Sequence, residues 1–141
     1  MEPLSILFVC VGNTCRSPMA EAIARGLGGG EITASSAGLA PYGRIVAATR
    51  SAIEALGYEA DGLASKGLEA VDLGSFDVIV SLLGAPGLSY LPRTLGAQLI
   101  AWEIPDPFGE DDEVYLATAR TLERRVRALL ADLDDRELPV I

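Results

Sequence analysis

Short apolar runs alternate with stretches of helical spacing along most of this chain, and that alternation restricts the fold more than any other feature. Residues 4–9, 32–37, 76–83 and 99–102 read as strands. The first is almost continuously apolar and the third has Val78-Ile79-Val80 at its centre, the pattern of strands buried on both faces. A helix is expected over 17–25, with Ser17 as N-cap, Pro18 in the first helical position and the Gly28-Gly29-Gly30 run as its stop. Positions 45, 46, 49, 52, 53 and 56 form a second helical stripe, ended by Gly57. A shorter helical piece is expected over 68–73, and the Pro- and Gly-containing stretch 85–97 reads as loop and short turns. From 112 to about 133 one long helix carries an apolar seam at 115, 119, 122, 126, 129 and 133, and Asp111-Asp112-Glu113 suits the positive end of its dipole. Strands alternating with helices imply an α/β fold, a parallel sheet covered on both faces by crossovers.

The 141 residues fit one domain, 1–141, and a chain near this size buries about 70% of its unfolded surface without a disulfide or metal staple. A net charge of −9 repels phosphate backbones and anionic lipid, so neither nucleic acid nor membrane is an expected partner. Any anion must therefore be caught by a local pocket working against the global field. The basic residues are ten Arg and Lys66, with no His, which removes every Ser-His and Cys-His mechanism. Cys10 and Cys15 are too few for a secreted disulfide framework or a four-ligand zinc site, so no metal or cofactor is expected. The first residues lack a signal-peptide or membrane-span pattern, and a thiol-reducing, cytoplasmic location is expected.

In parallel sheets, ligands bind beyond the carboxyl ends of the strands, so the turn after the first strand is the first place to look for chemistry. It reads Cys10-Val11-Gly12-Asn13-Thr14-Cys15-Arg16-Ser17-Pro18. Gly and Asn tolerate positive φ, so this loop can turn successive N–H groups inward and, with the free N–H groups of the helix start, form an anion nest of phosphate size. Arg16 can add a bidentate fork to two phosphate oxygens. A thiol at the floor of such a nest, as Cys10 is, is placed to act as a nucleophile. Taken singly, Cys10 also reads as a small buried apolar residue at a strand end, and a Cys-x5-Arg spacing alone is weak.

The segment Val9-Cys10-Val11-Gly12-Asn13-Thr14-Cys15-Arg16-Ser17-Pro18-Met19-Ala20-Glu21 resembles the low-molecular-weight protein-tyrosine-phosphatases. Ser35-Ser36-Ala37-Gly38 and Asp106-Pro107-Phe108-Gly109 stand where that family has comparable segments, so the resemblance spans almost the whole chain. It implies a three-layer, four-stranded parallel sheet and a phosphorylated protein substrate, with a monomer favoured. By the same resemblance Cys10 attacks phosphorus, Arg16 holds the phosphoryl oxygens, and Val11, Gly12, Asn13, Thr14, Cys15 and Ser17 complete the phosphate-binding loop. Ser17 hydrogen-bonds the thiolate and Asn13 braces the loop. Asp106 protonates the leaving group, then activates water to cleave a phosphocysteine. Independently of the family, Asp106 follows a late strand at the same sheet edge and is stiffened by Pro105 and Pro107, as an acid–base group requires; alone, an Asp before Pro also reads as a turn former. Phe108 is expected to wall the cleft.

Three departures from the family pattern bear on substrate. There is no His to support the loop, and Phe108-Gly109 replaces a pair of Tyr often found there. Thr14 stands where many tyrosine-specific relatives have Ile and resembles the bacterial protein-arginine-phosphatase branch, so phosphoarginine joins phosphotyrosine as a substrate; the expectation is that the Thr14 hydroxyl faces the cleft and accepts from a guanidinium leaving group. Cys10 and Cys15 are expected to form a protective disulfide under oxidation. Thiol arsenate reduction and a phosphoryl carrier or phosphate-binding module are the other readings; the first relays oxidation through cysteines outside the loop, and residues 17–141 contain none. Arg120, Arg124, Arg125 and Arg127 on the last helix, opposed by Glu123 and Asp132, read as a solvated face.

Overall fold

In the computed structural model, which describes residues 3–92 and 95–137, four parallel strands form a single sheet. β1 (Leu4–Cys10), β2 (Ile32–Gly38), β3 (Val78–Ser81) and β4 (Gln98–Ala101) lie in the order β2-β1-β3-β4. Between and after them run α1 (Arg16–Gly28), α2 (Ala47–Ala55), the single turn α3 (Ala85–Leu88) and α4 (Asp112–Glu137). The register pairs Cys10 with Gly38, Val9 with Ser81, and Ser81 with Ala101. The carboxyl ends of all four strands therefore share one edge, and the segments 11–15, 39–44 and 102–109 leave from it together.

The two faces of the sheet are covered unequally. Alternate β1 residues point to opposite faces, and both are buried, which is why the run is apolar without interruption. Ile6 and Phe8 pack under α1, α2 and α4, together with Met19, Ile23, Ile53, Leu122 and Val126. Leu7, Val9 and Ile79 lie on the other face beneath the 3-10 turns Leu68–Ala70 and Leu73–Ser75 and the α3 region. Fully buried side chains of this kind are each worth about 1.5–3 kcal/mol, and most of them lie on the three-helix face. Arg120, Arg124, Arg125 and Arg127 are exposed, as expected of a solvated face, with Arg127 3.7 Å from Glu123 and Arg125 stacked 6.0 Å above the Trp102 ring.

Local boundaries differ from the sequence pattern for identifiable reasons. Ser17 does not cap α1: the helix begins at Arg16 with Cys15 as N-cap and no side-chain cap, because the Ser17 hydroxyl is occupied by Asn13 and Cys10. The helix also continues through Arg25 to Gly28. α2 starts at Ala47 rather than 45, since the Val46 N–H is drawn off to the Thr14 hydroxyl. The piece at 68–73 resolves into two 3-10 turns. β4 ends at Ala101, one residue before Trp102, whose N–H still reaches the Ser81 carbonyl at 2.8 Å. α4 runs four residues past 133.

Candidate active site

The loop between β1 and α1 is built from its carbonyls outward. The carbonyls of Cys10, Val11 and Gly12 accept N–H groups of Leu39, Ala40 and Tyr42 at 3.0, 2.9 and 2.8 Å, and that of Gly12 also takes the Ser65 hydroxyl. The Thr14 carbonyl accepts from Thr49 Oγ1 at 2.7 Å. None of the described peptide bonds is cis, so each N–H points opposite to the preceding carbonyl. The N–H groups of Val11, Gly12, Asn13 and Cys15 are thereby aimed away from those partners and into the loop, where they converge with the uncapped start of α1. This is the geometry of an anion nest, held by the segment 39–46 and by Thr49.

Asn13 is the pivot of the loop. Its φ of +48°, in the left-handed region that Asn tolerates, makes the turn. Its Nδ2 donates to Ser17 Oγ at 2.8 Å and Ser36 Oγ at 2.9 Å, and its Oδ1 accepts the Lys66 N–H at 2.8 Å. Ser36 Oγ donates in turn to Glu21 Oε1 at 2.5 Å, and Glu21 pairs with Arg25. Because Ser17 Oγ accepts from Asn13, its hydrogen is free for Cys10 Sγ, 2.9 Å away. A chain of bonds therefore runs from Arg25 to Cys10, every member but Arg25 buried. Gly38 lets β2 approach this closely, since a Cβ there would meet the Val11 carbonyl at 2.5 Å.

Opposite the loop stands Asp106, its side chain 49% exposed, with Oδ2 3.6 Å from Arg16 Nη2 and Oδ1 accepting the Phe108 N–H at 3.0 Å. Arg16 Nη1 donates to the Ile104 carbonyl at 2.8 Å, which fixes the guanidinium plane. Its Nε is buried and has no partner among the described residues, an orphan donor of the kind an anion would satisfy. The cleft, about 200 Å³, is lined by Cys10, Val11, Gly12, Thr14, Cys15, Arg16, Ala40, Tyr42, Asp106 and Phe108. A hollow of about 490 Å³ beside Arg25, Tyr58 and Asp61 holds no thiol.

One expectation changes in kind. Thr14 does line the cleft, but it is 5% exposed and its hydroxyl donates to the Arg44 carbonyl at 2.5 Å and accepts the Val46 N–H at 3.2 Å. The hydroxyl is spent on the backbone of 44–46, and the part of Thr14 left to the cleft is its methyl group. Residues that sequence reasoning missed as parts of the site are Tyr42 and Thr49, while Ser36 and Glu21 were noticed only as parts of the quoted motifs. Tyr42 meets Phe108 edge-on at 5.1 Å between centroids, with Arg44 5.5 Å over its ring. An aromatic in the turn after β2 was a usable signal, as was an acid on the buried side of α1.

Cys15 faces the core: its Sγ lies 3.7 Å from the Tyr115 hydroxyl. Burial pushes the Cys15 thiol up, against the pull of its Tyr115 and Thr49 partners. Such an arrangement can bind a tetrahedral anion, present a sulfur beneath it and hold a carboxyl across from it.

Comparison with known proteins agrees with this geometry. Residues 5–138 match the model of the family described as low molecular weight phosphotyrosine protein phosphatase. A glutaredoxin arsenate reductase from Synechocystis is 32% identical over 129 residues, covering 91% of this chain and 97% of that protein. A protein-arginine-phosphatase from Bacillus subtilis is 30% identical over 148 residues, covering 92% and 97%. The crystal structure of YfkJ from Bacillus subtilis superposes with a TM-score of 0.82 at 27% identity, covering 98% of this chain and 99% of that one.

Proposed function

The chain belongs to the low molecular weight phosphotyrosine protein phosphatase family, and on that premise we propose that it hydrolyses phosphorylated side chains of proteins through a phosphocysteine at Cys10. The observation that carries this reading is the buried, unpartnered Nε of Arg16 beside a nest whose floor is Cys10. In the first step Cys10 Sγ forms a bond to phosphorus, the bond to the leaving oxygen or nitrogen breaks, and the Asp106 proton goes to the leaving atom. In the second, Asp106 takes a proton from water, the water oxygen bonds to phosphorus, and the S–P bond breaks to return the thiolate. Arg16 and the loop N–H groups meet the charge on the equatorial oxygens in both steps. Under peroxide, Cys15 caps oxidised Cys10 as a disulfide; both cysteines are free thiols here.

Within this reading phosphotyrosine is the first substrate class, since Val11, Tyr42 and Phe108 give the cleft an apolar, partly aromatic rim. Phosphoarginine is the second: the carbonyl oxygen of the exposed Asp106 carboxyl can accept guanidinium N–H groups, and a relative bears the name of that activity. Selection between them does not run through the Thr14 hydroxyl, which is already bonded. Hydrolysis is favoured over arsenate reduction because the chain has no thiol beyond its two loop cysteines to relay electrons. It is favoured over a carrier role by Asp106, which a carrier does not need. The deciding experiment is steady-state phosphate release from phosphotyrosine, phosphoarginine and phosphoserine peptides, with arsenate reduction assayed beside them. Multiple turnovers on phosphotyrosine or phosphoarginine are expected; a single stoichiometric burst, or arsenate reduction alone, would overturn the reading.

A further inference from the structure

Neighbouring residues of the phosphate loop reach the two ends of the segment that carries Asp106. Arg16 holds its start, donating to the Ile104 carbonyl at 2.8 Å. Its end is Gly109, a turn at φ +84° just ahead of α4. Tyr115, the last residue of the first turn of α4, is 4% exposed, and its hydroxyl lies 3.7 Å from Cys15 Sγ. Asp106 itself has few restraints: one bond within its own turn and the 3.6 Å approach of Arg16.

We propose that Tyr115 is a positioning residue for leaving-group protonation, its hydroxyl holding the start of α4, into which the acid segment runs, to Cys15 in the phosphate loop and so fixing Asp106 relative to phosphorus. The proposal rests on the reading of Asp106 as the acid. Proton transfer demands that the carboxyl stand within hydrogen-bond reach of the leaving atom, whose place is set by the phosphate loop. The two parts belong to different loops, and Arg16 alone would leave the segment free to pivot about Ile104. A second tie at the start of α4 removes that freedom. The phenol is suited to this work because it stays neutral beside Asp106: burial, then the Cys15 thiol, pushes it up to about 12, against the pull of the Gly109 N–H.

Tyr115→Phe keeps the buried ring and removes only the hydroxyl. Its kcat is to be measured on a phosphotyrosine peptide and on an aryl phosphate whose phenol is acidic enough to leave without a proton. The expected result is a fall of about tenfold on the peptide and less than about twofold on the activated aryl phosphate, a 1 Å misplacement being able to cost about a hundredfold. In an Asp106→Asn background the same substitution should leave the ratio of the two rates unchanged, because the group it positions is gone. Equal losses on both substrates, or a further change of ratio in the Asp106→Asn background, would overturn the proposal and make the hydroxyl a matter of stability alone. If the wild type turned over neither substrate, the underlying reading would fall and the proposal with it; an active wild type whose ratio is unmoved by Tyr115→Phe would sink the proposal only.

Discussion

The phosphate loop and the acid segment face each other across one cleft, yet they are built on opposite plans. In the loop, Asn13 and Ser17 are fully buried, four of the five carbonyls from Cys10 to Thr14 are engaged by other segments or by Thr49, and a bonded chain reaches back through Ser36 and Glu21 to Arg25. The acid segment leaves Asp106 and Phe108 about half exposed. The difference fits the tasks proposed for them. An anion nest must be rigid before the anion arrives, since reorganising N–H dipoles during reaction would cost what they stabilise. A carboxyl that gives a proton to one atom and takes one from water needs contact with solvent.

The largest effect expected of any substitution is at the floor of the nest. Cys10→Ser should lower kcat by about 10⁴-fold or more while inorganic phosphate still competes for the site at near wild-type concentration. Substantial turnover by that variant would show that the rigid loop merely binds. Next comes the solvated side: Asp106→Asn should cost about 10²–10⁴-fold on phosphotyrosine and markedly less on an activated aryl phosphate. Losses of the same size on both would place Asp106 among the structural residues and erase the division of labour.

Asn13→Ala probes whether rigidity of the loop matters by itself. It removes three hydrogen bonds and puts Ala at a φ of +48°, so phosphate affinity and kcat/KM should fall about tenfold or more, with about 1–3 kcal/mol of stability lost for the partners left unpaired. Unchanged phosphate inhibition would mean that the 39–46 segment alone holds the nest. A smaller consequence concerns the second sulfur. After brief peroxide treatment the wild type should regain activity with thiol reductant and Cys15→Ser should not; equal recovery of both would assign Cys15 a packing role only. The smallest effect is on stability in alkali. Tyr115, pushed up to about 12 in the fold from an ordinary value of 10, keeps its proton when the unfolded chain has lost it. Its contribution is complete below pH 10 and disappears between 10 and 12. Urea midpoints should therefore fall less steeply over that range in Tyr115→Phe than in the wild type, and parallel curves would contradict the assignment.

Much of the rigid half was written in consecutive residues. A buried strand, a Gly- and Asn-containing turn and a helix start are local features, so Cys10 through Ser17 could be read as a nest before any tertiary contact was known. What local reading got wrong there was the use of individual hydroxyls. Ser17 looked like a cap and Thr14 like a cleft acceptor, because nothing near them in sequence reveals that Cys10, Asn13, Arg44 and Val46 compete for the same oxygens.

Sequence alone determined the strand–helix alternation, the parallel sheet, the turn that carries Cys10 and the place of Asp106 on a Pro-stiffened segment, because each rests on the conformational preferences of neighbouring residues. Only the tertiary structure decided which atoms serve which partner. Ser36 and Asn13 lie 23 positions apart, Tyr115 and Cys15 100 apart, and Tyr42 meets Phe108 from a different strand end. Such pairs are set by sheet order and by the packing of α4 against α1 and α2, which align the strand ends on one edge. Hydrogen bonds are short-ranged and directional, so their partners are fixed only once the chain has brought distant residues within about 3 Å.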